Sequence, residues 1–322
     1  MTATSAPPEA PAAPAAPAKA KMRPGDIWFS GAALFAGSMI LATLAAVAIF
    51  LIVQSVPALG ATNEQASLLR SNFWAYVGPL LFGTIWAAVL ALVIAVPLSL
   101  GVALFITHYA PRRLAQGLGY VVDLLAAVPS VVFGLWGILV LAPAVQPTYS
   151  WLNENAGWFP LFAGDVSATG RTIFTAAIVL AVMVVPIITA ICREIFLQTP
   201  RLHEEAALAL GATRWEMIRM AVLPFGRSGI VSASMLGLGR ALGETMAVAM
   251  VLSATGTVTF KLFTSTNPST IAANIALTFP EAYGTNINVL IATGLILFVV
   301  TFAVNALARW IVGRRKEFSG AN

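Results

Sequence analysis

Arg240 and Glu244 stand four residues apart in a stretch that is otherwise almost wholly apolar, Ser228-GIVSASMLGLGRALGETMAVAMVL-Ser253. On a continuous helix that spacing puts both side chains on one face, with about 6 Å of rise between them. An arginine at the centre of a bilayer costs about 2.5–3.5 kcal/mol on insertion scales, and a carboxylate is comparably unwelcome. A chain that keeps both has a use for them, and two uses are open: an intrahelical ion pair that neutralises itself, or two groups lining a polar pathway. Arginine offers a planar fork of donors suited to oxyanions. A carboxylate beside it discriminates by protons. Phosphate near neutral pH still carries one or two protons to donate, whereas sulfate carries none and is repelled. Gly239 and Gly243 form a G-x-x-x-G step on the adjacent stripe, where another helix can approach closely. Ser130, Ser232, Ser234 and Thr245 are further polar groups nearby, each with its own helix as the default partner.

Other chemistries find little support. The single Cys192 excludes an intramolecular disulfide, and a free cysteine in apolar surroundings behaves as a small hydrophobe. His108 and His203 lie far apart in polar segments and suggest no metal site. No aromatic-rich basic stretch invites nucleic acid. No G-x-x-x-x-G-K-[ST] loop occurs, so any nucleotide is hydrolysed by a separate chain.

The elements that must position Arg240 and Glu244 follow from composition. Of 322 residues 59% are hydrophobic and only 10% charged, with a mean hydropathy of +0.86. Soluble domains carry about 25% charged residues, so this chain is solvated mainly by lipid. It reads as an all-α polytopic membrane protein. Six runs reach the roughly 20 apolar residues a helix needs to cross a bilayer: about 30–53, 80–107, 119–142, 172–192, 228–252 and 287–312. Pro97, Pro129 and Pro186 fall inside the second, third and fourth, where they predict kinks. Residues 1–24 are a Pro/Ala-rich tail too poor in bulky apolar side chains to fold alone, so the permeation domain is placed at 25–322. The apolar run after the tail is too long for a signal-peptide core and is read as retained.

Fourteen of the eighteen Lys and Arg residues flank one side of these spans, three flank the other, and Arg240 lies within one. The positive-inside rule then puts both termini in the cytoplasm, and 54–79, 143–171 and 253–286 outside. Trp74, Tyr76, Trp151, Trp158 and Tyr283 supply interfacial aromatics in those outer segments. The 143–171 segment is long enough for an amphipathic piece on the outer surface.

The 193–227 segment is too organised for a plain connector. Thr199-Pro200 predicts an N-cap with proline at the first helical position, and LHEEAALAL a short helix with Glu204 and Glu205 near its positive end. Gly211 suits a C-cap, and Thr213-RWE has the form of a capping box opening a second helix. Glu205-Ala206-Ala207, then Gly211, then Leu223-Pro224 closely resembles the EAA loop of ABC-importer permeases. Ala221 stands where that pattern has a β-branched apolar residue two before the leucine.

The resemblance extends through Pro129-SVVFGLWG and Gly237-LGRALGETMAV, and covers roughly Gly25 to Lys316. There the chain is similar to the PstC-type permease of the phosphate ABC importer. That resemblance implies the six-helix core of type I importers in a bacterial inner membrane. It implies that Glu205, Ala206, Ala207, Gly211, Leu223 and Pro224 couple to an ATPase, and that Arg240 and Glu244 line the substrate pathway. The implied partners are a second, PstA-type permease, PstB-type ATPase subunits that use ATP and magnesium, and an extracytoplasmic PstS-type phosphate-binding protein. This chain itself needs no cofactor and is not an enzyme. Three alternatives stay open: a permease for another oxyanion such as molybdate or sulfate, a proton-coupled secondary transporter using Glu244 as its relay, and a membrane scaffold for phosphate-responsive signalling. The elbow argues against the second, since such a carrier has no reason to keep it.

Overall fold

The structure, a computed structural model, describes residues 24–316 apart from residue 70, so nearly all of the expected tail lies outside the described residues. Pro24 itself opens the first helix, α1 (Pro24–Leu59), a position its fixed φ favours. Residues up to Phe50 form one unit and Leu51 onward a second. In the first unit Trp28, Phe29, Leu34, Phe35 and Ile40 are all exposed, as befits a helix apolar on every face and solvated by lipid.

The second unit is built on α2 (Phe73–Leu104, prolonged by a π-turn, Phe105–Tyr109) and α6 (Ile173–Leu197). Their contact is made of small residues: Ala87, Ala88, Ala91 and Ala95 on α2 are buried, as are Ala176, Ala177 and Ala181 on α6. Small side chains let two backbones approach, which substitutes for the hydrophobic drive that lipid does not supply. Pro97 and Pro186 sit inside these helices as expected. Near them Ser99 Oγ donates to the Val185 carbonyl at 3.2 Å across the interface.

The third span departs from expectation. Residues 119–142 are not one helix: α3 (Arg112–Ala126) ends before Pro129, and α4 (Ser130–Trp136) starts after it. Pro129 lacks the N–H an interior position must donate and pushes Val128 away from helical ψ, so it breaks the helix rather than kinking it. The membrane-length helix is 130–156 instead, running from α4 through a π-turn (Gly137–Leu141) into α5 (Ala142–Ala156). The segment expected to lie on the outer surface is therefore partly the end of this span.

After α6 come α7 (Arg201–Ala209), α8 (Arg214–Met217), a π-turn (Ile218–Val222) and α9 (Leu223–Gly243). The fifth span, expected as one helix over 228–252, also breaks: α9 stops at Gly243, Glu244 is extended (φ −68°, ψ 129°), and α10 (Met246–Val251) follows. An irregular stretch leads to α11 (Ile271–Thr278) and α12 (Thr285–Lys316). No strand is formed among the described residues, and six helices are long and apolar enough to cross a membrane.

Candidate functional site

What α9 shows to the rest of the chain is decided by glycine. A Cβ on Gly237 would lie 2.6 Å from Val184 Cγ1 and 2.8 Å from Ile188 Cδ1, and Gly226 and Gly229 meet Ile195 and Phe196 in the same way. With buried Ala233 between them, they form the stripe laid against α6. Gly239 is about 200° round the helix from Gly237, and a Cβ on Gly239 or Gly243 would meet nothing within 4 Å. The G-x-x-x-G step read from the sequence is thus unused inside this chain. The helix-packing glycines here are Gly226, Gly229 and Gly237.

Arg240 is exposed, and no hydrogen bond or ion pair among the described residues engages its guanidinium. It stands about 20 Å along the helix from Arg227, the charged residue that precedes it. Glu244 is 8% exposed. Because the helix breaks at this residue, the one-face geometry expected for the pair does not form, and no salt bridge joins them. Glu244 Oε1 instead accepts from the Ala247 N–H at 3.2 Å, which satisfies a first-turn donor of α10 and places a negative group at its positive end. Thr245, Ser232 and Ser234 are spent on backbone carbonyls, of Gly243, Ser228 and Ile230 respectively.

α10 holds its place by close packing on α4. A Cβ on Gly134 would lie 2.9 Å from Ala247 Cα, and one on Gly137 2.7 Å from Val179 and Val251 side-chain carbons. The two glycines of the PSVVFGLWG run therefore form a notch for α10. At the far end of α10, Arg171 Nη2 donates to the Met250 carbonyl at 3.0 Å. Buried Asn267 donates to the Ser253 carbonyl at 3.2 Å and accepts from the Ile173 N–H at 3.2 Å. Sequence reasoning missed both side chains. Arg171 registers there only as one of three charges on the sparse side, and Asn267 carries no local signal at all.

The elbow forms largely as its caps dictate. Gly211 has φ +85°, the left-handed region that glycine enters without a Cβ penalty. Thr213 and Glu216 make the full capping box, with Glu216 Oε2 accepting from the Thr213 N–H at 2.8 Å. One detail shifts by a residue: Pro200, not Thr199, occupies the N-cap of α7, and the buried Thr199 hydroxyl finds no hydrogen-bond partner among the described residues. Ala206, Ala207 and Pro224 come together with Leu210, Met220 and Ala221 around one apolar groove. Glu205 is exposed and Leu223 half-buried, packed toward the core. Leu210 is 89% exposed. A link absent from the sequence reading ties this elbow to the second span, His108 Nε2 to Glu204 Oε1 at 3.6 Å.

The family model of the binding-protein-dependent transport system inner membrane component matches residues 95–317. The phosphate transport system permease protein PstC 2 of Mycobacterium tuberculosis is 52% identical over 91% of this chain and 94% of its own. PstC of Mycobacterium leprae is 49% identical over 83% and 87%, and that of Mesorhizobium japonicum 39% identical over 92% of each. Among solved structures, a chain of a bacterial ABC transporter involved in import of the acidic polysaccharide alginate aligns with TM-score 0.59 at 17% identity, over 90% of this chain and 99% of its own. A chain of the inward-facing MetNI methionine ABC transporter aligns with TM-score 0.50 at 20% identity, over 74% and 93%. At these identities the two structures speak for the fold alone.

Proposed function

Given that this chain belongs to the binding-protein-dependent transport system inner membrane components, and among them to the PstC-type permeases, we propose that it forms half of the membrane pathway of an ATP-driven phosphate importer. The observation that carries the site is the unpaired Arg240 guanidinium beside a helix break in an apolar span. An arginine without a carboxylate partner is a standing anion receptor. Glu244 has one oxygen committed to the Ala247 N–H. Its other oxygen is left to accept a hydrogen bond from a P–OH group of phosphate, which sulfate cannot offer.

The Lys and Arg distribution supports cytoplasmic termini and a cytoplasmic elbow. The groove around Ala206, Ala207 and Pro224, with Leu210 projecting beside it, supports docking on a PstB-type ATPase, which hydrolyses ATP with magnesium. The exposed end of α9 at Gly243 suits a second, PstA-type permease, while Gly239 lines a cavity shared with Asn305 and Ala308 of α12. A PstS-type binding protein delivers phosphate from outside. When the ATPases close, the elbow moves α9, and Arg240 changes the side to which it is open.

The test is uptake of labelled phosphate, with sulfate as competitor, in cells carrying the native chain or Arg240→Gln. Native uptake is expected to resist a large excess of sulfate, and the variant to lose uptake by at least about 100-fold, as for a group that contacts the transported anion, while assembly with the ATPase is retained. Normal uptake by the variant at native expression removes the site assignment. Equal competition by sulfate removes the phosphate assignment.

A further inference from the structure

Resting on that reading, we propose that Arg171 is a positioning residue for transport: it anchors α10 and through it sets where the Glu244 carboxylate stands. Arg171 touches neither Glu244 nor Arg240, so it acts through another element.

A helix of six residues does not hold its own place, since nucleation consumes most of what so few hydrogen bonds return. Its position must be imposed from outside. At its start, α10 has Glu244 on the Ala247 N–H. At its end, where carbonyls lack helical partners, it has Arg171 on the Met250 carbonyl. The signs match the helix dipole at both ends, negative at the start and positive at the finish.

The far anchor leads to the best-packed of the membrane-length helices. Arg171 immediately precedes Thr172, the N-cap of α6, and α6 is the most deeply buried of the membrane-length helices. Asn267 reinforces the same joint by bridging the Ile173 N–H to the Ser253 carbonyl, three residues beyond Met250. Glu244 thus sits at a junction. On one side α9 runs to the elbow; on the other α10 hangs from the head of α6. Motion arriving along α9 is resolved at Glu244 only if α10 stays put.

Arg171 also has unused capacity. Its Nε is buried with no acceptor among the described residues, a cost that a static brace made from a neutral side chain avoids. With five donors in a fixed fork, the guanidinium can pass from one open carbonyl at the end of α10 to its neighbour without leaving its place.

The experiment uses the assembled transporter in proteoliposomes, with Arg171→Gln and Arg171→Lys each combined with a Met246→Cys reporter. Met246 is half-exposed on α10, and Cys192, the sole native cysteine, is fully buried and stays in place. The readouts are phosphate uptake and the alkylation rate at position 246 by a hydrophilic maleimide, with and without vanadate-trapped nucleotide. Loss of the anchor in Arg171→Gln is expected to lower uptake about tenfold, to raise resting alkylation several-fold, and to erase most of the difference between the two nucleotide states. Arg171→Lys keeps the charge without the fork and is expected to fall between, with resting alkylation raised about twofold. Should the Gln variant not assemble, the Lys variant alone decides. Native alkylation in the variants that assemble, with or without loss of uptake, overturns the proposal. If the native complex takes up no phosphate yet alkylation still responds to Arg171, the substrate reading falls and the anchor stands.

Discussion

At the start of two short helices in this chain a glutamate captures a backbone N–H. In the elbow Glu216 takes the Thr213 N–H at 2.8 Å; at the break in the fifth span Glu244 takes the Ala247 N–H at 3.2 Å. The bond is of one kind, but its setting differs. Glu216 is exposed, and its partners lie within four residues. Glu244 is buried, and the helix it caps is held by Gly134 of α4, by Gly137 at the start of the following π-turn, by Arg171 and by Asn267, none of them a near neighbour in sequence. The cap at Glu216 is locally determined and solvated, although Met217, Ile218 and Val222 just after it are buried in the core. The break exists only because remote elements agree on it, and disturbing any one of them displaces Glu244.

The sharpest way to break that contrast is to fill the notch under α10. Gly134→Leu drives a side chain into Ala247, and overpacking of this kind costs about 1–3 kcal/mol or displaces the segment. Phosphate uptake is expected to collapse, while co-purification with the ATPase stays near native. Joint loss of both would mean that elbow and break are one mechanical unit, contrary to the contrast drawn here.

Gly211→Val probes the other region with a smaller effect. A β-branched residue at φ +85° carries a left-handed strain of about 1–2 kcal/mol, which corresponds to roughly tenfold weaker ATPase association by pull-down. Phosphate binding to the isolated membrane complex should be unaffected. Unchanged association and unchanged transport would remove the coupling role.

The mildest change, Thr213→Ala, dissolves the capping box at a cost of about 1 kcal/mol. Association titrated against ATPase concentration should weaken by no more than about fivefold, with uptake nearly native at saturating ATPase. A loss as large as that of Gly134→Leu would show that the elbow is less autonomous than its local contacts suggest.

The same contrast explains what could be read from the sequence. The elbow was legible because its determinants are neighbours: Gly211 for the left-handed turn, Thr213 and Glu216 for the box, and the Glu-Ala-Ala run. The exception, Thr199 displaced by Pro200, is a one-residue shift at a helix start. The break at Glu244 was hidden because Gly243-Glu244-Thr245 contains no proline and the apolar run continues past it. What ends α9 is the docking of α10 in a notch more than a hundred residues away. Pro129 was visible but read as a kink; a kink would have kept Asp123, paired at 3.6 Å with Arg193, in the same helix as Ser130. The glycines of α9 offered two stripes, and spacing alone could not say which one faces α6.

That choice of stripe bears on how the subunit lives before it is assembled. With Gly226, Gly229 and Gly237 turned toward α6, Arg240 is left on the outside of the lone chain. Against lipid such a charge costs about 2.5–3.5 kcal/mol, a large fraction of what holds an ordinary fold together. A surface that covers Arg240 in an assembled transporter removes that cost.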